Sequence, residues 1–164
     1  MAALGGGLML ACCTTMYVAP VGEDLAEATV INMASEPVSI FIYGDAKECT
    51  DRKVISPIVA PGERRTLGLA AKRYVAMTVI EAIGNRACFA TFDFRPEAGG
   101  RYNIRFKQSG DACFVLVTDL HGGAQERPVH INKRVWTRPF VERSPSCERD
   151  SIDRSKAPDS TSTI

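Results

Sequence analysis

The sequence predicts an all-β chain folded as a small antiparallel β-sandwich of the immunoglobulin or transthyretin type. Three observations carry that expectation. Between Thr29 and Leu120 apolar residues alternate with polar ones at period two. Turn-forming residues interrupt the alternation about every eight to twelve positions, as they do in sandwiches and barrels. Apart from a single turn's worth at 70–74, no stretch of this region keeps a helical period.

Strands are expected at residues 29–33, 38–43, 54–59, 65–69, 74–82, 87–94, 101–107 and 112–119, where Val, Ile, Phe, Tyr and Thr dominate. The clearest is 101–107. Tyr102, Ile104 and Phe106 point one way, and Arg101, Asn103, Arg105 and Lys107 the other, so one face is buried and one is wet. Ala60-Pro61-Gly62-Glu63 reads as a type II turn, because Pro fixes the first central φ and Gly supplies the positive one after it. Gly84-Asn85 suits a two-residue hairpin loop. That loop sets a register, with Ala82 opposite Ala87, Glu81 opposite Cys88 and Ile80 opposite Phe89. Cys88, Ala90, Phe92 and Phe94 then share the core face. Glu81 is the awkward residue, aimed at the core unless a bulge or fraying relieves it. A further strand is expected at 129–136, ended by Pro139. Val129, Ile131, Lys133 and Val135 lie on one of its sides; His130, Asn132, Arg134 and Trp136 lie on the other.

The chain's ends differ from its middle. Residues 1–22 carry no charge. Residues 1–12 read as an export signal, being shorter than the roughly 20 apolar residues a membrane-spanning helix needs. Met9-Leu10-Ala11-Cys12 resembles a bacterial lipobox, with Met9 where Leu is usual. A lipoprotein signal is the preferred reading; an ordinary cleaved signal and a buried N-terminal strand are the alternatives. The resemblance implies a lipid on Cys12. Because Cys13 rather than Asp follows, it also implies the periplasmic face of the outer membrane, with the periplasm as the alternative location. Residues 13–28 read as a tether, 29–120 as the sandwich and 121–147 as an arm packed on it. Residues 148–164 read as a disordered tail, too polar to offset the entropy of ordering.

With 164 residues one domain is expected. A net charge of +1 gives no general pull toward nucleic acid, and none is expected as a partner. Cys49, Cys88, Cys113 and Cys147 are widely spaced, which fits two disulfides formed in an oxidising compartment. Three connectivities are open, and Cys88–Cys113 with Cys49–Cys147 is preferred. That preference meets an obstacle. If 87–94, 101–107 and 112–119 form a plain meander, the middle strand separates Cys88 from Cys113 by about 9–10 Å, beyond disulfide reach. The ladder would have to end before Lys107.

Ile42-Tyr43-Gly44-Asp45-Ala46-Lys47-Glu48-Cys49, Arg86-Ala87-Cys88, the run from Phe94 to Tyr102, Cys113, and Val135-Trp136-Thr137-Arg138-Pro139-Phe140 before Cys147 resemble a group of small proteobacterial envelope β-proteins of uncharacterised function. The likeness spans roughly residues 29–147, and Phe-x-Pro-Glu-Ala-Gly-x-x-Tyr is its most specific part. It implies fold and location, and carries no activity or catalytic residue across.

No chemical constellation stands out. The four cysteines lack the close spacing of a zinc site, His121 and His130 sit nine apart, and there is no C-x-x-C or G-x-S-x-G. No metal and no cofactor is expected. Asp93, Glu97 and Asp111 flank turns, where carboxylates are usually solvated. Lys133, Arg134, Trp136 and Arg138 interleave basic and aromatic residues and form the one candidate binding surface; the plainer reading is an edge strand protected by charge. The sequence therefore favours a non-enzymatic envelope lipoprotein, an interaction or accessory module with an envelope protein as partner. The alternative is a secreted inhibitor or a glycan- or ligand-binding domain acting on an envelope hydrolase or cell-wall component. A buried, converging set of polar side chains would reopen the case for an enzyme.

Overall fold

The structure is a computed structural model. It describes residues 15–22, 24–84, 86–110, 112–120, 125–138 and 145–149, with Ile83 and Arg149 in backbone only. Cys12, Asp111, His121, Pro139 and residues 150–164 lie outside the described residues. The elements are β1 (Leu25–Asn32), β2 (Val38–Asp45), β3 (Thr50–Val59), β4 (Arg64–Ala70), β5 (Val75–Ile83), β6 (Arg86–Phe94), β7 (Arg101–Ser109), β8 (Ala112–Asp119), β9 (Arg127–Pro128), β10 (Asn132–Trp136) and β11 (Cys147–Arg149). They form a sandwich of two sheets, ordered β4-β1-β7-β8-β9 and β11-β10-β6-β5-β2-β3. Neighbouring strands run antiparallel except β1 and β7, which are parallel.

Alternation along the strands builds the core. Val30, Ile104 and Phe106 of the first sheet meet Ile40, Met77, Val79, Phe92 and Phe94 of the second, and all are fully buried or nearly so. The Phe94 and Tyr102 rings meet edge to face at 5.4 Å between centroids, a favoured aromatic geometry. The Ala60–Glu63 turn closes as its sequence requires. Gly62 has φ 77° and the Glu63 N–H donates to the Ala60 carbonyl at 3.0 Å. Gly84 has φ 58°, the positive angle that a two-residue hairpin loop needs at its first central position. The β5–β6 register runs from Val75–Phe94 to Ile83–Arg86 and places Glu81 opposite Cys88 and Ile80 opposite Phe89, as the loop length implies.

Four expectations are corrected. First, β6 and β7 do not form a meander; residues 95–100 carry the chain from the second sheet to the first. β8 therefore faces β6 across the sandwich, and Cys88–Cys113 closes with 6.0 Å between Cα atoms while the β7–β8 ladder runs on to Ser109–Ala112. Second, neither bulge nor fraying relieves Glu81. The ladder is regular there and Glu81 is fully buried. Third, the supposed tether is in part structural. Leu25 to Ala28 belong to β1, with Ala26 and Ala28 in the core. Upstream of it, Tyr17 donates its N–H to the Val54 carbonyl at 2.8 Å and its hydroxyl to the Gly68 carbonyl at 2.7 Å. Fourth, Glu148 and Arg149 are not tail but β11, held by pairing with β10 and by the neighbouring Cys49–Cys147 bond.

Candidate functional site

A polar cluster forms on the outer face of the second sheet. Phe92 and Phe94 point into the sandwich, so Thr91 and Asp93 point away from it. There Tyr43 and Thr78 share a hydroxyl hydrogen bond of 2.8 Å, and Thr78 and Thr91 one of 2.9 Å. One Asp93 carboxylate oxygen accepts from Asn132 at 2.6 Å, and the other takes the Arg134 guanidinium as an ion pair. Arg134 also donates to the Lys47 carbonyl at 2.9 Å. Asp93 and Arg134 keep only 1% and 5% of their side-chain surface. The expectation that Asp93 is solvated at a strand end is overturned, because the arm covers it.

The Cys49–Cys147 bond and Ser146 close the cluster from outside. The Ser146 N–H donates to the Cys49 carbonyl at 3.1 Å, and its own carbonyl accepts from Thr137 at 2.9 Å. Burial pushes the Tyr43 hydroxyl above the ordinary phenol range, against its bonds to Thr78 and Ser146 and the nearby Arg52 charge. This is the converging polar set that would reopen the case for an enzyme. Its members are largely buried and bonded to one another. What the arrangement does is hold the arm onto the sheet.

The residues of the sequence-derived binding surface are split by it. Lys133 is exposed on the inner side of β10, and Arg138 is exposed beyond its end. Arg134 is buried against Asp93. Trp136 lies flat on Phe89, with ring centroids 4.1 Å apart, which occupies one face of each ring. Lys133, Arg134, Trp136 and Arg138 do not share one surface, because alternation along a strand sends neighbours to opposite faces. His130 and Glu97 are exposed and not brought together.

Two polar features lie apart from this cluster: Glu81, which the sequence marked as awkward, and a Glu126 cluster that sequence reasoning missed. Glu81 accepts the Glu36 N–H at 3.3 Å on Oε1, while Oε2 has no partner among the described residues. Burial pushes its carboxyl up from the usual range. On the outer face of the first sheet, Glu126 receives Arg105 at 2.5 Å, Asn103 at 3.0 Å and Thr118 at 3.1 Å. The Arg105 hydrogen bond leads in holding the Glu126 carboxyl down at about 2.

Two of the clefts among the described residues lie beside side chains already named. One of about 150 Å³ at the sandwich end places Arg73 and Lys53 beside Tyr17 and Tyr43, and Lys53 already pairs with Asp51 at 3.1 Å. The other, about 180 Å³, opens sideways between β8 and β10. Both are smaller than the roughly 300–1,000 Å³ of small-molecule sites, while a third and shallower cleft of about 320 Å³, beside Leu25, Glu27, Gly68, Gly99 and Arg101 on the first sheet, reaches the low end of that range. Among the described residues no group of His, Cys, Asp and Glu could hold a metal ion. Comparison with protein-family models and with curated proteins finds no match to the chain.

Proposed function

We propose that the chain is an exported, non-enzymatic module of a bacterial cell envelope, anchored through a lipid on Cys12, that works by docking a partner protein. The observation that carries this reading is the pair of disulfides. Two bonds that tie together elements far apart in the chain fit an oxidising compartment and a small stapled domain. The polar groups that converge do so in a closed, self-satisfied cluster, which supports binding over catalysis. A lipid on Cys12 would supply the membrane affinity. Glycan binding would draw on Trp136, and one face of that ring already rests on Phe89.

The test is expression in a Gram-negative host, cell fractionation and mass spectrometry of the mature chain. The expected result is a diacylated Cys12 at the N-terminus in the membrane fraction, with Cys12→Ser moving the protein to the soluble periplasm. A chain recovered from the cytosol with an unprocessed N-terminus and free thiols would contradict it.

A further inference from the structure

The two sheets do not end together. Beyond β6 the second sheet continues through β10 and β11. Among the described residues, beyond β8 the first sheet continues only as β9, which reaches Thr118 and Asp119, and as Val129, whose N–H donates to the Val117 carbonyl at 2.9 Å. The chain then crosses to β10. Among the described residues no strand lies beside residues 112–116 of β8 in the plane of the sheet.

Backbone direction follows by alternation. Val117 aims its carbonyl away from β7, so Val115 and Cys113 aim their N–H and C=O groups away from β7 too. Those four groups face the open side. Beside them lies the slot of about 180 Å³, with Ala90 and Phe92 behind it, Ile131 and Lys133 along its far wall and Phe114 at its mouth. Phe114 is 51% exposed. Val135, on the slot side of β10, is 50% exposed, and among the described residues no strand of the first sheet faces it.

We propose that this edge is a strand-addition site. An extended segment of a partner protein pairs antiparallel with residues 112–116 of β8 and turns alternate apolar side chains into the slot. The proposal rests on the docking-module reading and gives it a place. Geometry selects the occupant. β6 lies across from β8 in every copy, so a two-fold β8–β8 pairing would put a second copy's β6 where β10 stands. The overhang of β10 and β11, about 10 Å at two strand spacings, blocks it. A lone strand brings no second layer and fits. Charge adds a preference. Lys133 stands exposed on the slot wall, with Lys107 opposite Phe114 on the neighbouring strand, so a segment with an acidic residue beside its apolar pair is favoured. Cys88–Cys113 at one end and the 129–131 crossing at the other hold the slot open beforehand, which lowers the ordering cost of binding.

The experiment titrates the disulfide-intact protein with octapeptides of the pattern Ser-Asp-Φ-Thr-Φ-Thr-Φ-Ser, where Φ is Val, Leu or Phe, and with analogues carrying Lys for Asp. Amide exchange is followed by NMR. The expected result is that the Cys113 and Val115 amides gain about tenfold or greater protection. The Asp peptides should bind several-fold more tightly than the Lys peptides, and Lys133→Glu should reverse that order. Val115→Pro removes an outward N–H that β7 does not use, so the ladder survives and peptide binding is lost. No protection at Cys113 and Val115 with any peptide, or unchanged binding to a folded Val115→Pro variant, would overturn the proposal. So would a concentration-dependent dimer protecting the same amides. Cell fractionation reads a separate property, so a membrane-anchored protein that binds none of these peptides would overturn this inference and leave the envelope reading standing.

Discussion

Replacing Arg134 with Met tests whether the arm is truly seated on the second sheet. Met keeps most of the aliphatic stem, so little cavity opens. The guanidinium disappears, and with it the ion pair to Asp93 and the bond to the Lys47 carbonyl. Among the described residues Asp93 is then a buried carboxylate with one remaining side-chain donor, Asn132. Removing one partner of a buried ion pair costs about 3–5 kcal/mol. Set against a total stability of roughly 5–15 kcal/mol, that is a large fraction. Removing both charges, as Asp93→Leu with Arg134→Met, should be close to neutral or stabilise by about 1–4 kcal/mol, since no charge is stranded. The assay is urea unfolding at neutral pH without reductant, so that both disulfides stay closed. The single variant should shift the midpoint strongly and the double variant should recover most of the shift. A single variant within 1 kcal/mol of wild type, or a double variant as unstable as the single, would show that the pair is solvated and the arm unseated.

Phe92→Ala should cost about 3–5 kcal/mol by removing a fully buried ring from the centre of the sandwich, read as the urea midpoint. A melting temperature within a degree or two of wild type would place the core on the other face of β6. The Glu81 carboxyl is raised by burial in the fold, so its stabilising effect is fully present below the unfolded value of about 4.3 and is lost as pH rises toward the folded value. Glu81→Gln should remove that decline from the stability–pH curve, and an unchanged curve would place the decline elsewhere. Glu126 is held at about 2 chiefly by Arg105, so its contribution is present above about 4.3 and fades as pH falls toward about 2. Arg105→Met should raise the Glu126 titration, followed by NMR, from about 2 toward the ordinary range, with the Asn103 and Thr118 bonds still holding it partly down; an unchanged titration would show that Arg105 is not the leading cause.

Local pattern and turn chemistry made much of the fold legible. The hairpin loop at Gly84 sets the β5–β6 register, and the Pro61-Gly62 turn sets the β3–β4 connection, because both depend on residues adjacent in the chain. Period-two alternation placed Phe92, Ile104 and Phe106 in the core. What was not legible depended on distant partners. Whether β6 and β7 pair or part is decided by where residues 95–100 cross, and nothing in that stretch says which sheet receives β7. The parallel β1–β7 pairing is likewise a choice among edges. Asp93 looked like a solvated strand-end carboxylate because its partner Arg134 lies 41 residues away. The clasp over Tyr43, Thr78 and Thr91 was hidden for the same reason: each looks like an ordinary outward strand residue until the Cys49–Cys147 bond brings the arm across them. The free edge of β8 appears only once both sheets have been counted.

Non-reducing peptide mapping of the protein isolated from a native envelope tests the architecture and its compartment together. The expected result is one linked peptide pair joining Cys88 to Cys113 and another joining Cys49 to Cys147, with no free thiol among the four. Linkage of Cys88 to Cys49 or to Cys147 would contradict the facing of β6 and β8, and four titratable thiols in the denatured protein would contradict the oxidising compartment that the disulfides support.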